Sequence, residues 1–212
     1  MNPYVVIDIG GTSIRYGLAD AKGQLLETHE MPTEAQKGGP HILNTTKEIV
    51  ARYLKKHPLA GVAISSAGMV DPDKGEIFYA GPQIPNYAGT QFKKEIEETF
   101  QIPCEIENDV NCAGLAEVTT GHAKGSNNAV CLTIGTGIGG CLLLDGQVFH
   151  GFSNSACEVG YLHLPDGAFQ DLASTTALVE YVAEHHGDPV VAGSLSRQQK
   201  EIRSVWLELI GW

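Results

Sequence analysis

The first apolar run, Tyr4 to Ile9, is continuous and rich in β-branched residues, which predicts a buried strand. Gly10-Gly11-Thr12 turns the chain, Ser13 to Asp20 returns it, and Ala21-Lys22-Gly23 is a hairpin turn into a third strand, Gln24 to Met31. Asn44 to His57 has the spacing of a helix, with Ile49, Val50 and Leu54 on one side and Asn44 or Thr45 as its cap. Gly61 to Ser65 reads as a short buried strand and Ser66-Ala67-Gly68 as a loop. Gln91 to Phe100 repeats Phe92, Ile96 and Phe100 at four-residue spacing, which predicts an amphipathic helix. Pro103 to Glu107 is a further strand, and Asn108-Asp109 caps a helix running to Gly121.

The pattern then restarts. Ala129 to Ile134 is a strand, Gly135 to Gly140 a glycine-rich turn, Cys141 to Leu144 a return strand and Asp145-Gly146 a hairpin turn. Ile9-Gly10, Gly17 and Asp20 align with Ile134-Gly135, Leu142 and Asp145 at a constant separation of 125 residues. Two copies of one strand–turn–strand unit predict two similar α/β lobes with a cleft between them, a common place for ligands. Ser194 to Trp212 reads as a helix that presents Ile202, Val205, Trp206 and Leu209 on one face.

Four segments can carry chemistry. In Asp8-Ile9-Gly10-Gly11-Thr12 the glycines let backbone N–H groups approach phosphate oxygens, Thr12 adds a hydroxyl, and Asp8 at the strand end can hold Mg²⁺ directly or through water. A plain hairpin turn has the same pattern. Gly135-Thr136-Gly137-Ile138-Gly139-Gly140 satisfies G-x-G-x-x-G, but a dinucleotide fingerprint must open a helix and here a strand follows. A second phosphate loop fits better, and no Walker A sequence is present. Glu107-Asn108-Asp109-Val110-Asn111 lies where a strand ends and a helix begins, so a carboxylate there can accept a proton from a hydroxyl attacking a γ-phosphate. Asn and Asp are equally ordinary helix caps. Glu158, in Cys157-Glu158-Val159-Gly160-Tyr161, can bond sugar hydroxyls or be a surface glutamate.

Composition narrows the field. The chain has 212 residues, enough for one large domain or two small ones, and 42% hydrophobic residues, enough for a real core. A net charge of -11 with no basic cluster argues against nucleic acid as a partner. Five cysteines, odd in number and without a C-x-x-C pair, suit reduced buried thiols rather than zinc. No signal-peptide pattern and no membrane-length apolar stretch are present, so a soluble cytoplasmic protein with no membrane partner is expected.

Taken in order, these segments resemble the ROK family (repressors, open reading frames and sugar kinases) from about Tyr4 to Tyr181. Asp8 to Thr12 is similar to its first phosphate motif. Ser65-Ser66-Ala67-Gly68-Met69-Val70-Asp71 is similar to its sugar-side loop, with Ala67 where proline is usual. Glu107 to Asn111 resembles its catalytic segment, Ile134 to Gly140 its second phosphate motif, and Glu158 to Tyr161 its E-x-G-H motif. The resemblance implies an actin-like, ribonuclease H-like α/β fold, with an N-terminal lobe over 1–111 and a C-terminal lobe over 112–212. It implies an ATP-dependent kinase acting on a hexose or β-glucoside. Asp109 would be the general base, and Gly68, Asn108, Asp109, Glu158 and Tyr161 would contact the sugar. Asp8, Gly10, Gly11, Thr12, Gly135, Thr136, Gly137 and Gly139 would hold the ATP phosphates, with Asp8 near Mg²⁺.

The pattern breaks in three places. Tyr161 stands where most relatives have a sugar-contacting histidine; its phenol still donates a hydrogen bond. Gly167 to Ser174 lacks the cysteine-rich zinc motif of many relatives, Gln170 or Asp171 falls near a glutamate that others use on the sugar, and His163 reads as an ordinary loop histidine, so no zinc site is expected. Beyond about Glu184 the match ends, whereas family kinases are longer. The resemblance therefore implies a second lobe that lacks part of its adenine pocket and exposes apolar surface, which favours a homodimer. It leaves an inactive remnant or sugar-binding module as the alternative to a kinase. A ROK repressor would carry a helix-turn-helix before the first phosphate motif, and Tyr4 already begins the strand.

Overall fold

A computed structural model describes residues 2–186; the helix expected over 194–212 lies outside them. The chain divides into two compact units, Met1–Asp109 and Val110–Trp212.

The first unit is built on a five-stranded sheet of order β3-β2-β1-β4-β7. Its strands are β1 (Tyr4–Ile9), β2 (Ser13–Ala19), β3 (Leu25–Pro32), β4 (Gly61–Ser66) and β7 (Cys104–Asn108). The first three form an antiparallel meander, and β4 and β7 run parallel to β1. The run that reads as a buried strand is buried on one face only: Val5, Ile7 and Ile9 are fully covered, while Val6 and Asp8 on the other face are half-buried. The covered face packs with α1 (Gly39–Leu54) and α2 (Phe92–Phe100) in one core, through Ile42, Ile49, Val50, Phe92 and Ile96. Each such fully buried side chain contributes about 1.5–3 kcal/mol.

Helix α1 begins five residues before the expected cap. Gly38 (φ 82°) precedes it, Pro40 sits in its first turn, and Asn44, Thr45 and Thr46 lie inside it. Proline is tolerated there because that turn's N–H groups have no helical partner. Thr46 is satisfied by donating to the Ile42 carbonyl at 2.9 Å. The sequence pattern also passes over the hairpin of β5 (Met69–Asp71) and β6 (Glu76–Tyr79), too short to show periodicity. Its turn is closed by the Lys74 backbone N–H donating to Asp71 Oδ1 at 3.1 Å and by the Gly75 N–H donating to the Asp71 carbonyl at 2.8 Å.

The second unit holds most of α3 (Asp109–Thr119), which ends before the expected Gly121, and a three-stranded sheet of order β10-β9-β8. Its strands are β8 (Ala129–Ile134), β9 (Ile138–Leu144) and β10 (Gln147–Val148). Gly114 of α3 rests on Cys141 and Leu143 of β9, where a Cβ would stand 2.6 Å from the Cys141 sulfur. A 3₁₀ turn (Val159–Tyr161), the small ladder of β11 (His163–Leu164) and β12 (Gly167–Ala168), and helices α4 (Phe169–Ala173) and α5 (Thr175–His186) complete the described part. His163 is thus in a short strand rather than a loop. One face of β8 leaves Val130, Leu132 and Ile134 exposed. No helix among the described residues is long and apolar enough to cross a membrane.

The two hairpins are similar but not of equal length. Ile9 pairs with Ile14 across a four-residue turn, whereas Ile134 pairs with Ile138 across three residues. The return strand therefore starts at Ile138, so Gly139 and Gly140 are strand rather than turn. The separation of 125 residues holds up to the turn and falls by one after it. By register Gly17 answers to Cys141, not Leu142, and Asp20 to Leu144, not Asp145.

Gly17 is fixed by packing: a Cβ there would collide with the Glu27 carbonyl of β3 and lie 3.1 Å from the Thr28 Cα. Gly17→Ala is expected to destabilise the first unit by about 1–3 kcal/mol, as overpacking does elsewhere. Urea denaturation measures this, and an unchanged midpoint would show that the β2–β3 pair can separate without penalty.

Candidate active site

Strands β1, β4 and β7 pair in parallel without a shift, so Asp8, Ser65 and Glu107 form one row and Ile9, Ser66 and Asn108 the next. All three strands end at the same level, and the three candidate segments leave the sheet together. Ser65 Oγ donates to Asp8 Oδ1 at 2.9 Å, and the Ala67 N–H donates to the Ile9 carbonyl at 2.9 Å. The first glycine turn is thereby tied to the loop that follows β4.

The turn itself is held at both ends by Thr33, which is 1% exposed. Its hydroxyl donates to the Gly10 carbonyl at 2.7 Å and its N–H to the Thr12 carbonyl at 3.0 Å. Sequence reading missed Thr33, because a lone threonine after a strand carries no signal. Gly68 adopts φ 94°, and a Cβ there would lie 2.9 Å from the Tyr79 carbonyl, so only glycine fits. Asn108 then ties the loop to the segment Glu107 to Asn111. Its side-chain amide donates to the Gly68 carbonyl at 2.9 Å and to Asp109 Oδ1 at 3.0 Å, and its backbone N–H donates to Glu107 Oε1 at 2.8 Å. Asp109 is the exposed first residue of α3, where the unpaired N–H groups of a helix start favour a negative charge. The first unit therefore gathers Asp8, Gly10, Gly11, Thr12, Gly68, Asn108 and Asp109 at one edge of its sheet.

Gly135, Thr136, Gly137, Gly139, Glu158 and Tyr161 belong to the second unit. The Thr175 N–H donates to the Gly135 carbonyl at 3.0 Å, and Thr176 Oγ1 donates to the Thr136 carbonyl at 2.9 Å. The start of α5 thus holds this turn, a support that sequence reading did not foresee. The segment of Glu158 and Tyr161 is laid on β9: a Cβ on Gly140 would meet the Cys157 carbonyl, and one on Gly160 the Ile138 carbonyl. Gln170 Oε1 would stand 2.9 Å from a Cβ on Gly137 and 3.1 Å from one on Gly160, so α4 reaches both the turn and the Glu158 segment. Glu158 is half-buried and Tyr161 exposed.

The glycines separate into two kinds. Gly139 is required by packing, with Val110 and Thr133 against it. At Gly11 and Gly135 a Cβ would meet nothing within 4 Å, and neither has positive φ. Neither packing nor backbone strain explains those two, while a phosphate drawn close to the backbone would. ATP phosphates thus fit both turns. Mg²⁺ fits Asp8, an oxygen donor in a row with Ser65 and Glu107. Among the described residues no three His, Cys, Asp or Glu side chains are placed to cage a metal, and Mg²⁺ beside nucleotide phosphates takes only one or two carboxylates.

The model of the ROK family matches residues 4–185, and the chain belongs to that family. It is 52% identical to an uncharacterized protein of Clostridium perfringens over 187 residues, covering 88% of this chain and 63% of that one. It is 30% identical to a glucokinase of Halalkalibacterium halodurans over 206 residues, covering 93% of this chain and 61% of that one. A crystal structure of a ROK family glucokinase from Streptomyces griseus, in complex with glucose and AMPPNP, superposes with a TM-score of 0.76 at 29% identity. That match covers 90% of this chain and 64% of the other. The fold is the actin-like ATPase fold of these kinases. The chain spans about three fifths of the length of the curated relatives it matches.

Gly11→Ala and Gly135→Ala are expected to leave the thermal midpoint unchanged or slightly raised, since Ala where φ permits it stabilises by about 0.4–1 kcal/mol. Each should weaken ATP binding by roughly 10-fold or more, the loss of about 1.4 kcal/mol. Calorimetric titration with a non-hydrolysable ATP analogue checks both, and unchanged affinity would remove the phosphate role of these turns.

Proposed function

We propose that the chain carries the sugar and phosphate machinery of an ATP-dependent kinase that phosphorylates a hydroxyl of a hexose or β-glucoside. The observation that carries this reading is the Asn108 amide, which donates at once to the Gly68 carbonyl and to the Asp109 carboxylate. It fixes a carboxylate beside a loop edge at the C-terminal ends of parallel strands, next to a glycine turn with open space at Gly11.

In this reading the sugar lies against Gly68 and Asn108 of the first unit, and Glu158 and Tyr161 are the candidate sugar contacts that the second unit carries. Asp109 accepts the proton of the attacking hydroxyl as the bond to the γ-phosphorus forms and the bond to the bridging oxygen of ADP breaks. The backbone N–H groups of the two glycine turns bind and orient the phosphates. Mg²⁺, held by Asp8 directly or through water, would neutralise charge on the phosphate oxygens. The two glucokinases among the named relatives support the reading.

The second reading is a sugar-binding module without turnover. A coupled ADP-release assay over a panel of hexoses and β-glucosides, run beside sugar titration, separates the two. The kinase reading expects sugar-dependent ADP release, and binding without release selects the module. Asp109→Asn keeps the size and the hydrogen bond to Asn108 but removes the proton acceptor. It is expected to lower kcat by about 10²–10⁴-fold with sugar affinity changed little. Wild-type turnover in that variant would remove Asp109 as the base.

A further inference from the structure

The loop between β6 and α2 takes no part in the chemistry above, yet it buries a tyrosine under the sugar-side loop. Tyr87 is 1% exposed. Its ring stands edge-on to Phe92, with centroids 6.0 Å apart, and its hydroxyl lies 2.7 Å from Ser66 Oγ. Ser66 ends β4, in register with Ile9 and Asn108, and its hydroxyl donates to the Ala67 carbonyl at 3.0 Å. A serine hydroxyl has one proton. With that proton on Ala67, the Tyr87 hydroxyl is the donor to Ser66. Burial pushes the Tyr87 phenol up, the Ser66 hydrogen bond opposes this in part, and the Asp109 and Asp8 charges add to the rise. The phenol keeps its proton, and the bonds run in one direction, from Tyr87 through Ser66 to the Ala67 carbonyl.

The loop that carries Tyr87 is itself anchored. The Gly39 N–H at the start of α1 donates to the Pro85 carbonyl at 2.9 Å, and a Cβ on Gly39 would strike the Asn86 carbonyl. Thr90 Oγ1 donates to the Tyr87 carbonyl at 2.6 Å. The Gly89 N–H donates to the Ile77 carbonyl at 2.8 Å, and the Ile77 N–H to the Thr90 carbonyl at 3.0 Å. Helix α1 and strand β6 therefore hold the tyrosine from both sides. A buried phenol needs a partner for its hydroxyl, and here that partner is the strand end beside Gly68.

We propose that Tyr87 is a positioning residue for the sugar-side loop: through Ser66 it fixes the Ala67-Gly68 backbone that Asn108 grips and that a bound sugar meets. The part concerning sugar rests on the kinase reading; the part concerning the loop does not.

Tyr87→Phe keeps the ring and removes only the hydroxyl. In the ligand-free protein, hydrogen exchange at the Ala67, Gly68 and Met69 amides should quicken by roughly 10-fold, the effect of losing about one buried hydrogen bond, with β1 and α1 unchanged. Ser66→Ala should give the same local pattern, and the double variant should do no more than either alone, since both break one chain. Unchanged exchange at 67–69, or equal acceleration across the whole first unit, overturns the proposal. In turnover, the KM for sugar should rise roughly 10-fold while kcat and the KM for ATP stay within about 2-fold. A wild-type protein that turns over no sugar would overturn the kinase reading, and the exchange result would still decide the role of Tyr87.

Discussion

The unshifted register of three parallel strands governs the first unit's part of the candidate site. Because β1, β4 and β7 pair without a bulge, Asp8, Ser65 and Glu107 share one row, and Ile9, Ser66 and Asn108 the next. A slip of one residue would send each of these side chains to the opposite face. Register is fixed from beneath, since Ile7, Ile64 and Ile106 lie in one buried row. A hydrophobic constraint thus sets a polar geometry: the core decides which oxygen faces which. The Asn108 amide then joins two segments, Gly68 and Asp109, that are 41 residues apart in sequence.

Much of this was legible in the sequence, and the exceptions share a cause. The strands β1, β4, β7 and β8 were visible because apolar runs bounded by turns have few other readings. The start of α1 was not. Gly38-Gly39-Pro40 reads as a breaker, and Asn44 and Thr45 read as caps, yet the proline lies in the first turn and the polar residues inside the helix. At the site, Asp8, Gly68, Asn108 and Asp109 were legible because each belongs to a patterned segment. Thr33 and Tyr87 were not, because they act on residues 23 and 21 positions away. A single side chain whose partner is distant leaves no local trace.

The repeated hairpins show how far sequence alignment can be trusted as geometry. Isoleucine, glycine and aspartate matched at one spacing on both sides of the turn, but the second turn is a residue shorter. The matched aspartates therefore occupy different register positions. Asp20 closes its turn by accepting from the Lys22 and Gln24 N–H groups at 2.8 and 2.9 Å, whereas the Asp145 N–H donates to Asn128 Oδ1 at 3.2 Å. The same residue type marks a turn in each copy for a different reason. The shorter turn also draws Gly139 and Gly140 into β9, which turns them from loop residues into packing residues.

Asn108 and Asp109 posed the sharpest ambiguity, since Asn and Asp at a strand–helix junction are what helix capping alone would choose. The geometry makes capping and catalysis compatible. The Asn108 amide nitrogen donates to Gly68 and Asp109, whereas capping uses the side-chain oxygen. Asp109 stands in the first turn of α3, at the positive end of the helix dipole. Phosphoryl transfer through a loose transition state asks little of a base in strength and much in placement. A carboxylate set at a helix start and oriented by a neighbouring amide suits the role proposed for Asp109. The residue types that build a good helix start are, here, also those that the proposed mechanism asks to hold a proton acceptor still.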